Sequence, residues 1–522
     1  MNKLFPSQSS AGKRPQPTSR RAFLTSAGTV GGLAVLSGAL AGASQQAPKP
    51  TPAGPPDELF YQSATKLAEM IRTKQVSSEE VVQAFLDRIA AVEPKIQAVL
   101  HLAADQALAR AREADAALGR GENGGPLHGV PISLKDELET AGIPCTCGAP
   151  AWKHNIPTAD ATVVMRLRRA GAIILAKTNM PFLGAAYESK NLFRETKNPY
   201  DLSRTPGGSS GGEAALIAAG GSPFGIGNDQ GGSIRVPAHF CGIAGLRPAH
   251  GRVSLAGNIP ESDGPGPVWH ATNGPMARCV EDLGLLLPLM ARPDVRDPFT
   301  LPLPQRDYRK VSFRELRVAW WTGDAKIEAT TETSMTVEQA AKAMERSGAC
   351  VQATDSPYDL MRAHEILLCT AAQGAATWLA EETKRLGAEE DALMIQATQS
   401  IQEALESFTR IEIESLQGEM PRLRRSVRAA IDGCDAILCP VTRSPAAFRG
   451  TTFKRLVEQE FVYCQLMGLV WSLPTGVIRC GTSPEGLPIG VQVVGAPLRE
   501  DIVLAVMARL EHDFGGWQEP SL

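Results

Sequence analysis

The chain has 522 residues, 43% hydrophobic and 21% charged, with a net charge of −3. That balance excludes a disordered, collagenous or multi-pass membrane chain and gives a nucleic-acid partner no electrostatic support. Ten cysteines are too dilute for a disulfide scaffold, while 49 glycines and 38 prolines commit many positions to turns and close backbone approaches.

The N-terminus reads differently from the rest. No acidic residue precedes Asp57, and residues 1–43 carry Lys3, Lys13, Arg14, Arg20 and Arg21. An uncharged, Gly- and Ala-rich stretch spans 22–43 and ends in Ala41-Gly42-Ala43, a small-residue cleavage pattern. Ser19-Arg20-Arg21-Ala22-Phe23-Leu24 resembles a twin-arginine export signal, an address read by a receptor rather than an anchor. The competing reading is a retained membrane helix, which Gly28, Gly31, Gly32 and Gly38 weaken. The expectation is a signal peptide over 1–43, cleaved after Ala43, a Pro-rich linker over 44–56 and one catalytic domain over 57–522. The mature protein is then periplasmic or secreted, without a stable membrane anchor. Export of an already folded protein implies thiols formed in a reducing compartment. Cys145 and Cys147 are accordingly read as buried or loop thiols, and with no HExxH or paired CxxC, neither metal nor other cofactor is expected.

Beyond residue 57 helices and strands alternate. Ser77-Ser78-Glu79-Glu80 has the form of a capping box, and Val82, Phe85 and Ile89 follow on one helical face. A second helix is predicted over 103–118, then a polar Gly-rich loop over 119–125. Val130, Ile132 and Leu134 alternate as a strand that delivers Lys135 at its end. Asp160 is placed as the cap of a helix through Val163, Val164 and Leu167 that Gly171 closes. A short buried strand follows over 173–176. Later elements are a strand over 318–321, a helix over 331–347, long helices between 357 and 430, and strands over 436–439, 475–480 and 489–494. Such a rhythm predicts a largely parallel or mixed sheet covered by helices.

The densest chemistry lies between Pro206 and Pro248. Two Gly–Ser loops, Gly207-Gly208-Ser209-Ser210-Gly211-Gly212 and Gly231-Gly232-Ser233, stand on either side of an apolar helix-like segment. Glycine-rich turns can present successive backbone N–H groups to an anion or a developing oxyanion, and a serine in such a turn is a candidate nucleophile. A phosphate loop is disfavoured because Gly211-Gly212 is followed by Glu213, where GxxxxGK[ST] requires lysine. Gly207-Gly208-Ser209-Ser210-Gly211 formally matches GxSxG, but that elbow must follow a strand, and Asn198-Pro199 through Thr205-Pro206 is turn chemistry. A serine nucleophile with a lysine base remains, since a buried lysine can lose its charge.

GVPISLKDELETAGIPCTCG (129–148), taken with the 206–248 stretch, resembles the amidase signature family over roughly residues 60 to 500. Within it, GGSSGGEAALIAAGGSPFGIG is similar to the fatty-acid-amide-hydrolase branch and related bacterial amidases. The resemblance implies an α/β fold: one large domain with a mixed, twisted central sheet and helices on both sides. It implies Ser233 as nucleophile, Ser209 as a bridging serine after a cis peptide, and Lys135 as base. It places an oxyanion hole at the backbone N–H groups of Gln230, Gly231, Gly232 and Ser233, with Asp229 and Arg235 bracing that loop. Two departures stand out: Asn228 replaces a threonine common in the family, and Gln230 replaces a smaller or apolar residue. Tyr187, Gly184 and Ala185 fall where relatives line the substrate pocket, although core packing explains them equally. His239 is expected to pack behind the loop, and Trp320-Trp321 to belong to a buried strand.

The implied activity is hydrolysis of linear carboxylic amides through an acyl-enzyme. Its partner is a small-molecule amide, and the oligomeric state is left open. Alternatives are a carbamate- or ester-selective hydrolase on the same scaffold, or a non-catalytic amide-binding protein. An amidotransferase subunit forming glutaminyl-tRNA belongs to the same family, but export separates it from tRNA.

Overall fold

Ser77 caps its helix as predicted, its hydroxyl accepting from the Glu80 N–H while the Glu80 carboxylate accepts from the Ser77 N–H. The computed structural model describes residues 59–259, 271–386, 399, 405–406 and 408–522. The expected signal peptide and linker lie outside these residues. All described residues fall in one unit, Pro50–Leu522.

The first part of the chain forms α1 (Ala64–Arg72), α2 (Ser78–Ile96), β1 (Val99–Leu102), α3 (Ala104–Gly119), β2 (Pro131–Lys135), α4 (Thr162–Arg169) and β3 (Ile173–Thr178). Then come α5 (Gly211–Ala218), β4 (Phe224–Asp229), α6 (Arg235–Phe240), β5 (Ala244–Arg247), β6 (Thr272–Ala277) and α7 (Val280–Met290). The remainder is β7 (Arg317–Trp320), α8 (Thr331–Arg346), β8 (Cys350–Ala353), α9 (Leu360–Leu386), α10 (Arg410–Asp432), β9 (Ala436–Pro440), α11 (Thr452–Val457), α12 (Val462–Gly468), β10 (Thr475–Thr482), β11 (Pro488–Gly495) and α13 (Glu500–Phe514).

Among the described residues eleven strands make one sheet in the order β1-β3-β2-β4-β6-β5-β10-β11-β9-β7-β8. It is mixed, as expected. β2 runs parallel to β3 and β4, and β7 parallel to β8 and β9, while β4, β6, β5, β10, β11 and β9 pair antiparallel in turn. Helices cover both faces. On β11, a Cβ at Gly490 would meet His239 of α6, whereas one at Gly495 would meet Val503 of α13. Those positions differ by an odd number in a continuous strand, so they point to opposite sides. The strands β2, β3, β4 and β11 are buried at every position, as strands covered on both faces are.

Two expectations are corrected. Ala161, not Asp160, is the N-cap of α4 and makes no side-chain cap bond. The Asp160 carboxylate instead accepts from the Ala141 N–H at 2.8 Å and pairs with Arg168 at 3.2 Å, so tertiary partners outbid the local cap. The strands β4, β5 and β6 were not anticipated, because Gly225, Gly227, Gly245 and Gly274 dilute their hydrophobic pattern. A Cβ at Gly245 would lie 2.9 Å from the Ala238 Cβ and the Ile234 side chain, so these strands are glycine-rich to admit α6 and its approach.

Candidate active site

The site assembles where β2, β4 and the loops before α5 and α6 converge. β2 pairs with β3 on one side and β4 on the other, and all five of its residues, Lys135 included, are buried. The pairing register shifts between Ile132 and Ser133, with the extra residue, Leu175, on β3. Lys135 is 1% exposed. Its Nζ donates to Ser209 Oγ at 2.7 Å, with the Asn228 carbonyl at 3.5 Å and the Glu137 carboxylate at 3.3 Å.

Ser209 follows a buried loop, and the Gly208–Ser209 peptide is cis. No strand precedes it, which removes the nucleophile-elbow reading. The loop is clamped on both sides: Ser189 Oγ donates to the Gly207 carbonyl and accepts from the Gly211 N–H, each at 3.0 Å. A Cβ at Gly208 would lie 2.5 Å from the Ala186 carbonyl oxygen and 2.8 Å from the Glu188 nitrogen. Both obstacles are backbone, so only glycine fits there.

Ser233 stands at the head of α6. Its carbonyl accepts from the Ser210 N–H at 3.1 Å, which ties the two serine loops together. Among the described residues no hydrogen bond joins the Ser209 and Ser233 hydroxyls. Asp229 braces this loop, accepting from the N–H groups of Gly232 (2.7 Å), Ile234 (3.1 Å) and Arg235 (3.3 Å) and from the Arg235 guanidinium at 2.9 Å. Arg247, which the sequence reading missed, adds a second buried cation at 3.6 Å. Burial opposes ionisation of Asp229, yet the Arg235 and then Arg247 guanidinium groups outweigh it and hold the carboxyl well below the usual range. Arg235 also donates to the Cys464 carbonyl at 2.6 Å and to Gln492 at 2.7 Å, anchoring the loop to α12 and β11.

The bond to Asp229 corrects one expectation. The Gly232 N–H is already engaged, so of the four donors expected for an oxyanion hole, Gln230, Gly231 and Ser233 remain. The Gly231–Gly232 peptide is held at its other end as well. Tyr187 Oη donates to the Gly231 carbonyl at 2.7 Å and itself accepts from Gln465 at 3.1 Å, while its ring stacks on Phe461 at 4.0 Å. Tyr187 thus supports the loop from the side where the sequence suggested a pocket wall. The departures from the family pattern also find their places. Asn228 bonds Asn273 through its amide at 3.1 Å and receives Ser210 at its backbone, so the amide is satisfied within the sheet. Gln230 is exposed at the mouth of the site.

His239 packs behind the loop as expected: its Nδ1 accepts from the Gly490 N–H at 2.7 Å, and burial pulls the imidazole down to about 4. It has no hydrogen bond to either serine. Cys145 and Cys147 are buried free thiols donating to the carbonyls of Asp136 and Ile259. Trp321 is 2% exposed, next to β7. Among the described residues no helix is long and apolar enough to cross a membrane.

A buried lysine touches one serine, a second serine stands at a helix start beside a braced glycine loop, and comparison with known proteins decides the family. The family model for amidases matches residues 80–504. This chain belongs to the amidase signature family. Over 477 residues it is 33% identical to a glutamyl-tRNA(Gln) amidotransferase subunit of Moorella thermoacetica, covering 86% of this chain and 95% of that one. A bacterial aryl acylamidase described as an amidase signature enzyme superposes with a TM-score of 0.76 at 26% identity, covering 86% and 96% of the two chains. A fatty acid amide hydrolase superposes with a TM-score of 0.75 at 25% identity, covering 88% and 87%. Membership makes the chain an amidase-type enzyme, a hydrolase or amidotransferase acting on C–N bonds.

Proposed function

We propose that this family member hydrolyses small carboxylic amides through an acyl-enzyme on Ser233, with Ser209 and Lys135 moving the proton. The observation that carries the reading is the 2.7 Å bond between a buried lysine and a buried serine, beside a glycine turn that offers backbone donors. In this mechanism Lys135, as the free amine, takes the Ser209 proton while Ser209 takes that of Ser233. Ser233 Oγ attacks the carbonyl, and the N–H groups of Gln230, Gly231 and Ser233 stabilise the oxyanion. The proton then returns through Ser209 to the leaving nitrogen, which cannot depart as an amide anion. Water hydrolyses the ester that remains. The aryl acylamidase and fatty acid amide hydrolase neighbours support a stand-alone hydrolase. A fluorophosphonate should label Ser233, located by peptide mass spectrometry, and the purified protein should release amine from an anilide. A label on Ser209 that persists in Ser233→Ala would overturn the assignment. Activity confined to esters or carbamates would move the reading to those substrates on the same scaffold.

A second reading follows from the identity to glutamyl-tRNA(Gln) amidotransferase subunits: the same site feeding ammonia from an amide to a partner. Glutamine hydrolysis that appears only when partner proteins are added would favour it. Export through Arg20 and Arg21 is part of the first reading, and Arg20→Lys with Arg21→Lys should leave precursor in the cytoplasm. Normal export of that variant would refute the twin-arginine route.

A further inference from the structure

Lys135 Nζ faces three acceptors: the Ser209 hydroxyl, the Asn228 carbonyl and the Glu137 carboxylate. This is the environment of an ammonium, with one partner for each of its three protons. To act as a base Lys135 must first shed one of them. A serine hydroxyl and a peptide carbonyl cannot hold it. Glu137 can.

The placement of Glu137 follows from the chain itself. It comes two residues after Lys135, in the turn that follows β2 and that the Leu138 N–H closes on the Lys135 carbonyl at 3.1 Å, and this turn leaves its carboxylate 3.3 Å from Nζ. Its side chain is about nine-tenths buried, and Oε1 has no hydrogen-bond partner. A Cβ at Gly184 would lie 3.7 Å from Ser209 Oγ and 3.9 Å from Glu137 Oε2, so the carboxylate and the bridging serine border one space. An ionised carboxylate with one bare oxygen in such a place is poorly solvated, while a carboxylic acid needs less. Burial pushes the Glu137 carboxyl up, with Lys135 and then Lys177 opposing and Asp136 reinforcing. The titratable groups around it among the described residues are Lys135 and Asp136 on its own segment, Lys177 on β3 and Cys147 in the following loop.

We propose that Glu137 is the positioning residue that makes Lys135 a base, by taking one ammonium proton within a buried pair. An N–H bond of Lys135 breaks, an O–H bond forms at Glu137 Oε2, and the ion pair becomes a neutral amine beside a carboxylic acid. No proton enters or leaves the pair, so the working form arises without release to solvent, and its share of the one-proton pair is independent of pH. Activity is lost on acidification only when the pair gains a further proton. Without the carboxylate, the amine has to give its proton to solvent, which is harder as pH falls. This rests on the proposed lysine-base mechanism.

The test is the pH dependence of Ser233 labelling and of anilide turnover in the full chain, for wild type, Glu137→Gln and Glu137→Asp. In Glu137→Gln the acidic limb should move to higher pH, with a loss of at least about 10-fold at about pH 6 and less than about 3-fold at about pH 9. Glu137→Asp, which keeps an acid group, should retain the wild-type limb at a lower plateau. A limb that stays put or moves to lower pH in Glu137→Gln would overturn the proposal, the latter being the mark of a simple counter-ion that keeps Lys135 charged. If Glu137→Gln does not fold, Glu137→Asp decides alone: a limb displaced to higher pH refutes the shared proton. A wild type that never labels at Ser233, at any pH, refutes the nucleophile assignment instead, so the two failures are distinguishable.

Discussion

Around Ser209 every residue from 205 to 212 is buried, whereas around Ser233 the chain surfaces at Gln230 and leaves Gly231 and Ser233 half-buried. Both are Gly–Ser turns leading into a helix, and by sequence they are near twins. The first is packed against the 186–188 backbone at Gly208 and holds its hydroxyl on a buried lysine. The second is braced from below by Asp229 and from the side by Tyr187, with its outer edge left to solvent. A proton is transferred best where water cannot compete, and a nucleophile is useful only where a substrate can reach it. Two copies of one motif are thus divided by burial into a dry partner and an open one.

Removing the two hydroxyls should separate these roles most strongly. Ser233→Ala is expected to lower amide turnover by about three orders of magnitude or more and to abolish fluorophosphonate labelling. Ser209→Ala should retain slow labelling at Ser233, because the nucleophile is still present. Equal and complete loss in both variants, with unchanged thermal unfolding, would erase the distinction.

The bracing of the open loop can be broken from beneath. Asp229→Asn leaves Arg235 and Arg247 buried without their counter-charge and should cost about 3–5 kcal/mol in denaturant unfolding, while Gln230→Ala at the exposed edge should stay within about 0.5 kcal/mol. The sign with pH follows. Asp229 is held below its ordinary value, so its contribution is present above about pH 4 and is lost as pH falls through the native value.

The dry side also holds a buried carboxyl. Glu213, in the first turn of α5, accepts from Ser133 and, at 2.6 Å, from Thr178, and burial pushes it up from 4.5 to about 7 against those bonds. Between those two values the native state binds a proton that the unfolded chain has released, so stability declines as pH rises across that window. Thermal unfolding at about pH 5 and about pH 8 should show wild type losing about 1–2 kcal/mol more than Glu213→Gln over that range. Identical slopes would mean Glu213 is ionised throughout.

The smallest effect is expected at Tyr187. Tyr187→Phe keeps the stacking on Phe461 and removes the bond to the Gly231 carbonyl together with the one accepted from Gln465. It should lower kcat about 3–10-fold with KM nearly unchanged, the cost of lost positioning hydrogen bonds. A rise in KM at constant kcat would make Tyr187 a pocket residue instead.

Much of the site was legible because its signals are local. The capping box at Ser77 and the strand that ends at Lys135 follow from spacing alone, and the two glycine–serine turns from composition. The family resemblance then singled out Lys135, Ser209, Ser233, Asp229 and Arg235. The pairing of Glu137 with Lys135 was not legible, because it depends on the turn after β2 and on the burial of both side chains. The glycine-diluted strands β4, β5 and β6 were hidden because their small residues serve the close approach of α6, which lies outside any local window.

What the sequence by itself determined is the chemistry available and the order in which the chain presents it. Only the tertiary structure decided which serine is dry and which is open, that Arg247 joins Asp229, that Tyr187 grips Gly231 across the site, and that the Gly232 N–H is spent on Asp229 rather than free. The physical reason is that residue type and spacing encode local backbone geometry. Burial, charge balance and hydrogen-bond commitment instead depend on partners such as Cys464 and Gln492, more than two hundred residues away from Arg235.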